Sequence, residues 1–349
     1  MARLITRNGL CSSISRVFPP VPQSARVLPA MMISSTPMST SKGFCSTTPP
    51  SSSVHSISKL IRMRAESNTP ALVVCHQRVD LTYQQLAGKV LSFASALADL
   101  GYGPGQKLLM VLENSAENVV TQLAAGVVGC NIVTVKTAAD LPQVVQEHEC
   151  KGVVIPAADM GSAKEARDKC THDPIVVGGS FFDAADCLHF EVLAQSYPPY
   201  ADNDNGHGTS YFYNSSKGVS VDSLVAKGAE TAEVLRLARA DRVCVPVTLN
   251  HPMGFGFGVL AAIHSGCALV LPAASPDAAA TLTALKEHKC SILYADSHTL
   301  KALPSDANAK EEGMEALRGG LTKIGSGESF GLGKARTFAG VDLITVGKE

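Results

Sequence analysis

Asp241-Arg242-Val243-Cys244-Val245-Pro246-Val247-Thr248-Leu249-Asn250-His251-Pro252-Met253-Gly254-Phe255-Gly256 is the stretch whose reading decides the fold. A charged pair gives way to an apolar run. The run breaks at Asn250, His251 and Pro252, and a second, glycine-spaced apolar run follows. No Asp, Glu, Lys or Arg occurs from Val243 to Ala274. A membrane-spanning helix needs about 20 consecutive apolar residues, and the polar break leaves only Met253 to Ile263. Read instead as strand 243–247, helix 255–265 and strand 268–271, the run is a buried strand–turn–helix–strand unit. The glycines of Gly254-Phe-Gly-Phe-Gly258 then serve close helix–strand packing rather than a dinucleotide fingerprint.

The same alternation extends in both directions. Upstream, Leu86, Val90, Phe93, Leu97 and Leu100 form a helical stripe entered at Leu81-Thr82 and stopped by Gly101-Tyr-Gly-Pro-Gly105. Leu108–Leu112 predicts a buried strand. Asn114-Ser115 can cap a helix carrying Val119, Val120, Leu123 and Val127 and ending at Gly129. Strands are expected at Ala71–Val74, Ile132–Val135, Val153–Ile155 and Ile175–Val177. Helices are expected around Leu141–Val145 and Phe190–Gln195. Downstream, helices near 222–239, 277–287 and 297–303 alternate with strands at 291–294, 321–324 and 341–345. Strands and helices alternating at this length imply an α/β fold with doubly wound parallel sheets. The loop from Tyr197 to Gly206 divides it into lobes at 55–206 and 207–349.

Residues 1–54 stand apart. No Asp or Glu precedes Glu66, while Arg3, Arg7, Arg16, Arg26, Lys42, Lys59, Arg62 and Arg64 lie among many serines. That is the composition of an organelle transit peptide, so the mitochondrial matrix is the expected location. The whole chain has 349 residues, net charge −1, 17% charged residues and no tryptophan. The folded part has no basic stripe, which argues against nucleic acid as a partner. The ten cysteines include no C-x-x-C pair. Zinc ribbons and redox dithiols need that close spacing, so reduced, mostly buried thiols are expected. Gly331-Leu-Gly-Lys334 lacks Walker-loop spacing, and no G-x-S-x-G elbow exists.

Leu81-Thr-Tyr-Gln-Gln-Leu86, Gly101-Tyr-Gly-Pro-Gly-Gln-Lys107 and Leu112-Glu-Asn-Ser115 resemble the opening of adenylate-forming enzymes, the superfamily of acyl-CoA synthetases, adenylation domains and luciferases. Asp241–Gly256 resembles that family's "DRVxxxxPLxHxxGFG" segment, and Leu317–Glu328 its "LRxxxxGGE" segment. Together these pieces span roughly residues 70–349, in the family's order. The resemblance implies the large N-terminal domain, built of two doubly wound α/β lobes. The resemblance would place the family's mobile C-terminal domain, with its catalytic lysine, beyond Glu349. The family activates a carboxylate with ATP and Mg²⁺ and usually passes it to CoA.

The resemblance also assigns residues. The glycine-rich phosphate loop is reduced to Tyr213-Asn214-Ser215-Ser216-Lys217-Gly218-Val219. Ser215, Ser216, Lys217 and Gly218 survive as nucleotide contacts; the glycines before the lysine do not. A phosphate cradle needs those glycines so that consecutive N–H groups can converge on one anion. Gly325, Gly327 and Glu328 would contact the nucleotide, His251 and Gly254 would line the acyl pocket, and Glu349 would help to hold Mg²⁺. Each assignment has a plainer alternative: a solvent-facing loop, a tight turn, a neutral core histidine and a frayed end. The expected role is therefore a non-catalytic subunit or scaffold of a mitochondrial complex. The alternatives are a ligase completed by another chain, using ATP, Mg²⁺ and CoA, and a sensor of acyl-CoA or AMP.

Overall fold

The computed structural model describes residues 56–135, 137–179, 187–201, 208–215, 217–296, 299–300, 312–323 and 332–347. The expected leader lies outside them, as does most of the helix expected at 297–303. The chain enters through α1 (Ile57–Arg64), β1 (Pro70–Val74), β2 (Val79–Thr82) and α2 (Tyr83–Asp99). There follow β3 (Lys107–Met110), α3 (Ala116–Val128), β4 (Asn131–Thr134), α4 (Leu141–His148), β5 (Gly152–Pro156), α5 (Met160–Arg167), β6 (Ile175–Val177), β7 (Leu188–His189) and α6 (Phe190–Ser196). Then come β8 (Ser210–Phe212), β9 (Val219–Ser220), α7 (Val221–Val234), β10 (Arg242–Cys244), a π-helical run (Met253–Leu260) and α8 (Ala261–Ser265). The last elements are β11 (Ala268–Leu271), α9 (Ala278–Glu287), β12 (Ile292–Ala295), β13 (Gly319–Lys323), β14 (Leu332–Phe338) and β15 (Val341–Val346).

The fold is α/β, with two largely parallel sheets. One runs β14-β15-β13-β12-β10-β11-β1-β2 and the other β7-β6-β5-β3-β4-β8-β9. The sheets exchange strands across the boundary expected at residue 206. β1 pairs in parallel with β11, Leu72 opposite Leu269, and β8 pairs in parallel with β4, Ile132 opposite Tyr211. Among the described residues, antiparallel pairs occur only at sheet margins: β1 with β2, β8 with β9 and β14 with β15.

Helix α2 begins with a capping box, in which the Thr82 hydroxyl accepts from Gln85 N and the Gln85 side chain accepts from Thr82 N. Its stripe residues Leu86, Val90, Phe93 and Leu97 are buried in the main core, each contributing about 1.5–3 kcal/mol. Helix α3 is capped by Ser115 and ends at left-handed Gly129, as its sequence predicts. Several elements are shorter or different from expectation, among them the following. β10 stops at Cys244, because Pro246 two residues on has no N–H for a ladder. Helix α7 stops at Val234 instead of 239, and Arg236 turns the chain at φ 47°. The helix expected at 255–265 starts at Met253, and its first part is π-helical.

A polar clamp joins two of the stretches that carried the family resemblance. Arg318 donates from Nε to Asp241 Oδ1 at 3.0 Å and from Nη2 to Oδ2 at 2.7 Å. Its Nη1 and Nη2 also donate to the carbonyls of Leu235 and Arg236, both at 3.0 Å. Asp241 accepts further bonds from Ser291 Oγ at 2.6 Å and Ala238 N at 2.7 Å. The clamp ties the start of β10 to the start of β13. Burial pushes the Asp241 carboxyl up, but these donors and the guanidinium charge outweigh it and hold the carboxyl below its ordinary range.

Candidate functional site

In open parallel sheets, ligands bind outside the carboxyl ends of the strands. The segment between β10 and the π-helical run lies at such an end and carries His251. It is gripped by amides from the region of α3. Asn114 Nδ2 donates to Val247 O at 3.0 Å, and Leu249 N donates to Asn114 Oδ1 at 2.8 Å. Asn118 Nδ2 lies 3.1 Å from Asn250 Oδ1, and Asn250 Nδ2 donates to Leu112 O at 2.7 Å. Gln122 Nε2 donates to Asn118 Oδ1 at 2.7 Å and to Leu249 O at 3.2 Å. Asn114, Asn118 and Gln122 are all buried, where an unpaired amide would be costly, so the network fixes the segment's path. Asn118 and Gln122, four apart on the largely apolar α3, with Asn114 just before its Ser115 cap, were the available sequence signal. Only the cap at Asn114-Ser115 was read from it.

Gln122 also reaches the turn that stands where the phosphate loop is expected. Its Oε1 accepts from Tyr213 Oη at 3.3 Å, and its backbone carbonyl accepts from the Tyr211 hydroxyl. The turn is short. β8 and β9 pair with Ser210 opposite Ser220 and Tyr211 opposite Val219. Tyr213 is buried, and Asn214 is left-handed at φ 51°, its N–H donating to Thr134 Oγ1 at 3.0 Å. Lys217 is exposed. A Cβ on Gly218 would stand 2.8 Å from the Phe212 ring, so this glycine is explained by close packing. The Ser215 backbone belongs to the turn; its side chain and all of Ser216 lie outside the described residues.

His251 is held on both ring nitrogens. Met253 N–H donates to Nδ1 at 3.1 Å, and Lys323 Nζ lies 3.0 Å from Nε2. Burial, reinforced by the Lys323 charge, lowers the imidazole to about 4. The ring is therefore neutral at pH 7. Gly254 supports the turn, its N–H donating to His251 O at 3.0 Å. A Cβ there would run into the Thr248 carbonyl, so only glycine lets the chain double back this closely. Lys323, which sequence reasoning missed, ends β13 and is partly buried. Burial lowers its ammonium, with Asp296 after β12 acting in the opposite direction. Lys323 is separated from His251 by 72 positions, and no local pattern announces the pair.

Gly325, Gly327, Glu328 and Glu349 lie outside the described residues. Among the described residues, no group of three or more His, Cys, Asp or Glu side chains is placed to hold a metal. The residues described therefore do not form a carboxylate set for the expected Mg²⁺. A separate cleft of about 250 Å³ is lined by Leu100, Arg167, Cys170, Thr171, His172, Asp173 and Leu188, none of them an expected site residue. The cysteines Cys75, Cys130, Cys150, Cys170, Cys187, Cys244, Cys267 and Cys290 are free thiols. No helix among the described residues is long and apolar enough to cross a membrane.

This architecture, with its ligand-side turns at the ends of parallel strands, is that of adenylate-forming CoA ligases. A benzoate CoA ligase from Burkholderia xenovorans LB400 superposes with a TM-score of 0.63 at 21% identity, covering 76% of this chain and 55% of that one. The anthranilate CoA ligase AuaEII, solved with anthranoyl-AMP, superposes with a TM-score of 0.66 at 16% identity, covering 77% and 55%. The family model for the AMP-binding enzyme matches residues 61–340, and the chain belongs to that family. Among relatives, the mitochondrial medium-chain acyl-CoA ligase ACSF2 of Rattus norvegicus is 23% identical over 301 residues, covering 73% of this chain and 48% of its own. The chain spans about half the length of the curated relatives it matches.

Proposed function

We propose that this acyl-CoA synthetase-like protein works in the mitochondrial matrix without catalysing adenylation, as a subunit or scaffold of a larger assembly. The observation that carries the proposal is the turn between β8 and β9. Only Tyr213–Gly218 connect the two strands. Tyr213 is committed to the core, and the Asn214 N–H is committed to Thr134. A triphosphate cradle depends on several preorganised N–H donors aimed at the transferring group, and donors of this kind contribute about 10²–10³-fold each. The location draws support from the acid-free, arginine- and serine-rich leader and from mitochondrial relatives such as the rat ligase.

Purified protein should show no carboxylate-dependent pyrophosphate exchange with medium-chain or aryl acids. Exchange that disappears on Lys217→Ala would overturn the proposal. It would promote the alternative of a working ligase, with ATP, Mg²⁺ and CoA, completed by another chain. The retained Lys217-Gly218 pair favours that alternative. Deleting residues 1–50 should abolish import, and unchanged mitochondrial location would refute the targeting claim. Native extracts should carry the protein in a complex, and a monodisperse monomer would count against the scaffold role. A sensor of acyl-CoA or AMP would instead show saturable ligand binding without exchange.

A further inference from the structure

We infer that α1 is a lock built into the fold, and that proteolytic removal of the leader therefore stops before Ser56. The inference about removal rests on the targeting part of the reading above; the packing of α1 does not. The acid-free stretch up to Glu66 reads as one composition, yet its last part is structural. Helix α1 packs against α2, α3 and α8. Helix α3 links β3 to β4 in one sheet, and α8 leads into β11 of the other, so α1 bridges helices of both sheets. Ile57, Leu60 and Ile61 are buried in the main core. Ile57 fills the space over Gly126 of α3, where a Cβ would run into its Cδ1.

The arginines of α1 belong to the same lock. Arg64 Nε donates to Ile263 O at 3.1 Å and its Nη2 to His264 O at 2.6 Å, supplying donors to the last turn of α8. Left-handed Gly266 follows, and a Cβ there would stand 3.0 Å from the Arg64 guanidinium. Arg62 Nη2 donates to Tyr200 O at 2.6 Å, beyond α6. Ser56 starts the helix, its Oγ accepting from Lys59 N at 3.2 Å. Processing is hydrolysis: water adds across one peptide bond, leaving a carboxylate on the leader and an ammonium on the remaining chain. A cut after Ser56 would remove the cap. It would also put the new ammonium on Ile57, which is 0% exposed and stands at the positive end of the helix dipole.

The test compares the purified full chain with a chain beginning at Ser56 and one beginning at Ala65. The first truncation should unfold within about 2 °C of the full chain. The second loses the buried Ile57, Leu60 and Ile61 and should unfold about 10 °C lower, or fail to fold. A midpoint for the second within about 2 °C of the full chain overturns the lock. Two further measurements need no truncated protein. Trypsin should spare the bonds after Lys59, Arg62 and Arg64 in the native full chain and cut them in urea, because a helix must open before it is cleaved. Native cleavage there as fast as in urea overturns the inference. Precursor imported into isolated mitochondria should yield, by N-terminal peptide mass spectrometry, a chain that begins at Ser56 or earlier. A first residue within α1 overturns the inference. Failure of import overturns the targeting reading alone, because the truncations and the trypsin digest decide the lock independently.

Discussion

Replacing Arg318 with alanine removes the fork that clamps Asp241. Asp241 is only 7% exposed and would keep its bonds from Ser291 and Ala238 while losing its counter-charge. The carbonyls of Leu235 and Arg236 would lose a donor as well. Breaking one side of a fully buried ion pair costs about 3–5 kcal/mol. The Arg318 side chain is 41% exposed, so water can enter the vacated side, and the cost falls to about 2–3 kcal/mol. Arg318→Lys keeps a point charge but not the fork, and should cost about half as much. Urea unfolding should show the lower midpoint with an unchanged slope. The pH dependence supplies a second reading. The Asp241 carboxyl is lowered in the folded state, so its stabilisation is present above the unfolded carboxyl value of about 3.9 and is lost as pH falls through the folded value. Without Arg318 the folded value rises, and acid unfolding should begin at higher pH. An Arg318→Ala protein within about 0.5 kcal/mol of wild type, or an acid limb that superposes on it, would refute the reasoning.

His251 should make a separate acid-side contribution. Its folded value of about 4 lies below the unfolded value of about 6.5, so its contribution is present above 6.5 and is lost as pH falls toward 4. His251→Gln should flatten that window by up to about 3 kcal/mol in urea titrations, and an unflattened window would argue against a buried neutral ring. Adjacent glycines of β13 should differ. A Cβ on Gly320 would collide with the Leu293 carbonyl across the β12 pairing, whereas one on Gly319 would stand 3.4 Å from Asp342 O. Gly320→Ala should therefore lower stability by more than about 2 kcal/mol and Gly319→Ala by less than about 1, measured by thermal and urea unfolding. Asn118→Ala leaves Asn250 and Gln122 each short of a partner and should cost about 2–4 kcal/mol, with faster hydrogen exchange in segment 247–253 as the local readout.

Several elements were legible because their causes are local. The stripe and cap of α2, the Ser115 cap and Gly129 stop of α3, and the break at Asn250-His251-Pro252 each act through neighbours within a few residues. The marginal strands were not legible. β2 was taken as the entry to α2, and β14 was missed. Each is held antiparallel at one end of its sheet, by partners that local pattern does not name. The expected site residues were assigned only through resemblance. The amides of Asn118 and Gln122, which hold the His251 segment and Tyr213, carried no local signal beyond their spacing and the cap at Asn114-Ser115.

By itself the sequence determined the α/β class, the main helices, the buried character of 243–271 and the reduced turn before Lys217. Periodicity, capping and turn chemistry write these into adjacent residues. Tertiary structure alone decided that β1 and β8 cross between the expected lobes, that Gln122 ties Tyr213 to the His251 segment, and that Lys323 faces His251. Strand partners and buried polar contacts are chosen by closure of the whole core. The burial and contact that lower His251 and Lys323 exist only once the ends of β10 and β13 reach the same edge of the sheet, with β12 between them.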